Sequence, residues 1–155
     1  MSYWLMKSEP EVFGIDDLAK RPRKTTHWDG VRNFQARNFM RDRMRRGDLA
    51  FFYHSNCDEP GIVGVVKIVK EGYPDYTAFD AADADFDSGS DPEKPRWYMV
   101  DVQLQRKFRN TITLATLREH ESRALKGLAL LKRGNRLSVT PVSAAHWKFI
   151  RDLAA

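Results

Sequence analysis

Between Trp28 and Asn56 the chain sets aromatic rings, side-chain amides, hydroxyls and guanidinium groups in close succession. Trp28-Asp29-Gly30-Val31-Arg32-Asn33 opens this stretch, six arginines fall from Arg32 to Arg46, and Phe51-Phe52-Tyr53-His54-Ser55-Asn56 closes it. Aromatic faces stack on nucleobases, amides and hydroxyls bond to base edges, and arginines neutralise phosphates. A pocket that reads one base out of a strand needs these residue types together. Other chemistries fit less well. His54 and Ser55 are neighbours on a strand-like run, so they point to opposite faces and His54 cannot readily activate Ser55. His54 and Cys57 could meet across a turn, but no acidic residue at a recognisable spacing would orient the imidazole. A lone cysteine rules out a cysteine zinc site, and no glycine-rich phosphate loop is present. Asp83 to Gly89 superficially follows a calcium loop, but its glycine falls at the seventh position and the twelfth residue is Lys94 where glutamate is needed. No metal or cofactor is expected.

The arginines have an order of their own. Arg37, Arg41 and Arg45 recur every fourth residue, so on a helix they form one stripe with Arg46 at its edge. Asp42 is the single counter-charge inside the segment, which favours phosphate contact over simple solvation. Among the tryptophans, Trp4 and Trp147 sit at core spacings. Trp28, between a basic loop and an Asp29-Gly30 turn, and Trp97, directly after Pro95-Arg96, are the stacking candidates.

These groups must be held by elements the pattern also specifies. Tyr3 to Lys7 reads as a first strand ended by Pro10, and Gly14 to Ala19 as a short helix stopped before Pro22. Asn33 to about Arg45 reads as the clearest helix, capped by Asn33 and followed by Gly47. Leu49–His54, Ile62–Lys70 and Trp97–Gln105 read as strands, with Gly64 marking a bulge or a close backbone approach. Thr113 caps a helix beginning at Leu114, Arg136–Val139 is a short strand ending at Pro141, and Ser143 caps a terminal helix. Tyr76 to Pro95 is acidic, rich in small residues, and long enough to be either a functional or a mobile loop. Short strands interleaved with short helices indicate an α+β fold around a small, mixed, barrel-like sheet.

Composition sets the outer bounds. The 155 residues suit one domain over 1–155, and a hydrophobic fraction of 42% argues against wholesale disorder. The net charge of +5 is segregated, with basic clusters in the first and last thirds and acid between Asp75 and Glu93, which indicates a basic face and a polyanionic partner. No apolar run approaches the ~20 residues that span a bilayer. The opening residues hold neither a basic leader nor a small-residue cleavage site, so no membrane association and no signal peptide are expected. One cysteine permits no internal disulfide, which is compatible with a cytoplasmic protein, or a nuclear one in a eukaryote.

Several stretches together resemble the EVE-domain family. They are Tyr3–Pro10 (YWLMKSEP), Trp28–Asn33 (WDGVRN) running into Gln35–Asn38 (QARN), Phe51–Asn56 (FFYHSN), Pro60–Gly64 (PGIVG), Tyr73–Asp75, Trp97 with Met99–Val102, and Arg136–Val139 (RLSV). They lie in order over nearly the whole chain. The resemblance implies a PUA-like twisted mixed β-barrel flanked by short helices, and a non-catalytic reader of a modified base, a modified cytosine in DNA or a modified base in RNA. It implies a pocket framed by Trp28, Asn33, Tyr53, Ser55 and Asn56, with Lys7, Ser8, Arg32 and Trp97 near its rim. The expected partner is then DNA or RNA, single-stranded or with the base flipped, gripped outside the pocket by Arg37, Arg41, Arg45 and Arg46. An enzyme acting on a nucleobase or nucleotide through His54 or Cys57, and a basic scaffold for an acidic protein, are the alternatives.

Overall fold

The computed structural model describes residues 1–154. Its centre is a mixed six-stranded sheet in the order β2-β5-β4-β3-β1-β6. The strands are β1 (Tyr3–Ser8), β2 (Thr25–His27), β3 (Leu49–His54), β4 (Gly61–Pro74), β5 (Tyr98–Thr113) and β6 (Val139–Val142). β1 and β3 run parallel, and every other pairing is antiparallel. β2 and β6 stand at the two edges with no ladder between them among the described residues, so the sheet is open where a barrel-like one was expected. The α+β class holds.

Short helices cover the sheet: α1 (Pro10–Phe13), α2 (Ile15–Ala19), α3 (Phe34–Asn38), α4 (Leu114–Glu119) and α5 (Ala144–Leu153). Both faces of β3 are therefore buried. Ala50 and Phe52 join a core with Trp4, Met40, Val66 and Trp28, while Phe51 and Tyr53 join a second core with Ile62, Leu117 and Trp147. Strand alternation divides the two sets. Trp147 is stacked between Tyr3 and Phe51, at centroid distances of 4.6 and 3.9 Å, and pins α5 onto the second core. The Ser143 and Thr113 side chains cap α5 and α4 as their types require.

Three departures from the sequence reading have identifiable causes. The long arginine helix is instead α3 followed by a wider π-type turn over Phe39–Arg43, closed by the Met44 N–H donating to the Phe39 carbonyl at 2.8 Å. Ala36, Met40 and Met44 are all fully buried, and widening the turn keeps all three facing the core. The backbone of Gly72 on β4 also presses against Met40 and Arg41, leaving no room there for a Cβ. β4 and β5 are each longer than expected and pair through several register shifts, so the polar stretch Arg106–Asn110 is strand by tertiary pairing rather than by pattern. Pro141 lies inside β6 rather than after it, at a sheet edge where its missing N–H costs no ladder bond. Gly64 does mark a close approach: a Cβ would run into the Arg106 carbonyl and the end of Ile15.

Candidate nucleic-acid interface

β2 pairs with β5 through Thr25–Gln103 to His27–Asp101, and the next N–H, that of Trp28, donates to the Val100 carbonyl at 2.7 Å. This fixes Trp28 over the first core, with its ring edge-on to Phe52 at 5.3 Å and only 7% exposed. The expectation of a loop-borne, exposed indole is corrected here: the loop is a strand exit, and the ring packs beneath it. Trp28 nonetheless stands in the wall of a cleft of about 540 Å³ that opens between the end of β1 (Lys7, Ser8), α1 (Val12, Phe13) and the Asp29-Gly30 turn. That volume lies within the range of small-ligand pockets and is ample for one base.

The turn is held from below. Gly30 has φ +80°, a conformation open to glycine, and its N–H donates to Asp75 Oδ2 at 2.8 Å. Asp75 is 0% exposed and also accepts from the Thr77 N–H (2.9 Å), Thr77 Oγ1 (2.5 Å) and Arg32 Nη1 (3.0 Å). Burial alone would raise its pKa, but the hydrogen bonds from Thr77, Gly30 and Arg32 outweigh that and hold the carboxyl below its ordinary range. Arg32 donates further to the Asp85 carbonyl (2.7 Å) and Thr77 Oγ1 (3.1 Å). Its guanidinium is thus a brace between the Trp28 loop and the acidic segment, not a group at the pocket rim. The acidic segment is accordingly folded over the site, with Asp85 reaching the cleft wall.

The remaining candidates sort by position. Lys7 and Ser8 do line the cleft. Ser8 Oγ donates to the Phe13 carbonyl at 2.6 Å, and the Lys7 ammonium leans toward the Tyr53 ring, 6.0 Å from its centroid, where burial lowers its pKa. Tyr53 is 3% exposed in the second core, on the opposite sheet face from Trp28, so strand alternation removes it from the cleft. Ser55 and Asn56 do not line the cleft either but support its edge: the Ser55 N–H donates to the Ser8 carbonyl (3.0 Å) and Asn56 Nδ2 to Glu9 (3.2 Å). Asn33 caps α3, accepting from the Gln35 and Ala36 N–H groups at 2.9 and 3.1 Å, and stands in the open away from the cleft. Trp97 is buried, donates from Nε1 to Asp87 at 2.6 Å, and stacks on Phe34 at 4.9 Å, so it is Phe34, 53% exposed, that reaches the surface there. His54 Nε2 accepts from the Ile15 N–H at 3.1 Å, and burial lowers its pKa. Its lone pair is committed to starting α2 and is not directed at Cys57.

The π-type turn breaks the arginine stripe. Arg37 donates to the Arg96 carbonyl (2.8 Å) and Arg41 forks onto Asp42 (2.8 Å to each oxygen). Arg45 and Arg46 follow in an exposed loop beyond the helix, so the four do not share one helical stripe. Sequence reasoning missed Val12, Phe13 and Asp85 as wall residues and Phe34 as a surface aromatic. Among the described residues, Val12, Phe34, Tyr76 and Phe86 are the large exposed hydrophobics other than Met1. Val12 lines the cleft, Tyr76 contacts its wall residue His27, and Phe86 follows Asp85. Exposed aromatics and arginines are residue types that a nucleic-acid surface presents.

Comparison with known proteins shows the family and the fold. The chain is 50% identical to thymocyte nuclear protein 1 of Danio rerio, over 98% of this chain and 71% of that protein. Against the Homo sapiens protein of that name the identity is 46%, over 98% and 73%. The fold superposes on the crystal structure of human THYN1 in complex with 5-methylcytosine-containing DNA with a TM-score of 0.95 and 46% identity, covering 99% of this chain and 98% of that one. A crystal structure of a Pseudomonas syringae protein matches with a TM-score of 0.93 at 46% identity, over 99% and 100%. The EVE domain matches residues 2–153, and the chain belongs to the EVE-domain family.

Proposed function

We propose that this chain, acting as one domain, is a non-catalytic reader of DNA that carries a modified cytosine, with the marked base held in the Trp28 cleft. The observation that carries the reading is the likeness, over almost the full chain, to a human protein crystallised with 5-methylcytosine-containing DNA. The cleft supplies matching chemistry. The exposed part of the indole offers a stacking surface, and base–aromatic stacking contributes ~1–3 kcal/mol, here toward the lower end because most of the ring is buried. Lys7, Ser8, Asp29 and Gly30 surround it with polar groups and backbone. A buried C5-methyl adds ~1 kcal/mol of apolar contact. Extruding a base from a duplex costs a few kcal/mol, so a single strand or an already weakened pair is the easier ligand. Arg37, Arg41, Arg45 and Arg46 grip the flanking backbone. Among the described residues no helix is long and apolar enough to cross a membrane. We place the protein with its DNA, in the cytoplasm of a cell without a nucleus and in the nucleus of a eukaryotic one.

The test is binding of oligonucleotides that differ at one central cytosine, methylated or not, as DNA and as RNA. Wild type is expected to favour the methylated DNA, and Trp28→Ala to lose that preference while keeping most general affinity. Equal affinity of the wild type for methylated and unmethylated strands refutes the reading.

A further inference from the structure

Several polar groups that line the cleft are already engaged. Ser8 Oγ is spent on the Phe13 carbonyl, Glu9 on Asn56, the Gly30 N–H on Asp75, and His27 Nε2 on the Tyr76 hydroxyl. The Lys7 ammonium leans to Tyr53, and Arg21 lies over the Phe13 ring. Beside these two cations, which make ring contacts but no hydrogen bond to the described residues, a pair of carboxylates lines the cleft, Asp29 immediately after Trp28 and Asp85 across the Gly30 turn. Neither has a side-chain partner among the described residues. Asp85 presses close on Gly30, where a Cβ would stand 2.6 Å from Oδ2. Burial raises the pKa of both carboxyls, against the Asp29 backbone hydrogen bond and the Arg32 charge that oppose it, so both are acceptors partly stripped of water. A half-buried acceptor left unpaired costs free energy until a ligand donor reaches it.

A reader of 5-methylcytosine faces a particular competitor. Thymine has the same ring, the same O2 and the same C5-methyl, so neither stacking on Trp28 nor a methyl-sized recess separates the two. They differ at position 4, where cytosine carries an amine that donates and thymine a carbonyl that accepts, and at N3. A carboxylate accepts from the cytosine amine and repels the thymine carbonyl. We infer that Asp29, with Asp85 beside it, is the specificity-determining group that selects the amino-bearing pyrimidine and rejects thymine. This rests on the reading of the cleft as a modified-cytosine site and deepens it. The neighbouring charges are mixed: Asp75 and Asp83 reinforce the negative wall, His27 opposes it at Asp29 and Arg32 at Asp85, and the cations Lys7 and Arg21 line the same cleft.

The experiment uses the whole chain and four single-stranded DNA probes identical except for one central base: 5-methylcytosine, cytosine, thymine, or 5-methylpyrimidin-2-one, which lacks any group at position 4. Wild type is expected to bind 5-methylcytosine about tenfold or more tighter than thymine, the discrimination of one good base-edge contact, with the pyrimidinone between them. Asp29→Asn presents either an amide oxygen or an amide N–H, so its preference should shrink to within about threefold, mainly by gain of thymine binding. Asp85→Asn should shrink it less. A folded Asp29→Asn protein that keeps the wild-type preference overturns the inference. So does wild type binding 5-methylcytosine and the pyrimidinone equally, a comparison that needs no variant. Wild type that favours 5-methylcytosine and thymine alike over cytosine sinks this inference and leaves the reader standing. No base preference at all overturns both.

Discussion

Replacing Asp75 by asparagine is the sharpest test of how the cleft is held, because one fully buried carboxylate ties the loop at Gly30 and Arg32 to the turn at Asp75 and Thr77. Asp75 accepts from Gly30 and Arg32 on one side and twice from Thr77 on the other. Asparagine keeps one acceptor oxygen. If that oxygen stays with Thr77, the new amide N–H₂ faces two donors, the Gly30 N–H and the Arg32 guanidinium. Removing one partner of a buried ion pair costs ~3–5 kcal/mol. Arg32 is 23% exposed and keeps its bonds to Asp85 and Thr77, which places the loss toward the low end of that range. About 3 kcal/mol in a domain of this size corresponds to a fall in melting temperature of roughly 6–12 °C. Urea unfolding at pH 7 should show the shift in midpoint at constant slope. The double variant with Arg32→Met should cost clearly less than the sum of the two single changes, because removing both partners leaves no orphaned charge. Folded Asp75→Asn should also show a weakened modified-base preference, since Gly30 no longer anchors Asp29, with general DNA affinity kept. A stability loss below about 1 kcal/mol, or simple additivity in the double variant, refutes the brace.

Two further outcomes follow from the geometry. Burial holds the His54 pKa below its ordinary 6.5, opposed by Asp16 and Asp17 and aided by Lys107, so the unfolded chain takes up this proton first as the pH drops. Its contribution to stability is therefore complete above pH 6.5 and lost as the pH falls through the depressed value; unfolding midpoints measured from pH 7.5 to 5 should show this slope flatten in His54→Gln. Replacing Arg45 and Arg46, exposed and beyond the helix, by alanine should weaken DNA of every sequence alike and lower the salt slope of binding by ~1 per lost phosphate contact, read by titrations at several salt concentrations.

The chemistry of the site and most of its scaffold were legible residue by residue. The caps at Asn33, Thr113 and Ser143 were readable because an N-cap is a local bargain between one side chain and the next three N–H groups. The core roles of Trp4 and Trp147, and the crowding at Gly64, followed from their neighbours in the chain in the same way. The motif around Trp28 pointed to the cleft, but Trp28 itself was placed too far out, because the pairing of β2 with β5 that buries it joins residues some 75 positions apart. Tyr53, Ser55 and Asn56 were drawn into the pocket by sequence adjacency, yet alternation sends Tyr53 to the other face and the following turn carries the other two behind β1.

What the chain determines by itself is the inventory: a basic patch, an indole beside an acidic turn, an α+β pattern and a family motif that spans it. Those properties are set by residue type and short-range spacing. Which of these groups share a cleft was decided only by the tertiary structure. Arg32 became a brace because Asp75, 43 residues later, is brought beneath it, and Asp29 was left without a side-chain partner on the cleft wall because packing brings it no donor side chain from the described residues. Satisfaction of a buried polar group depends on what long-range packing brings within about 3 Å, and no local pattern encodes that.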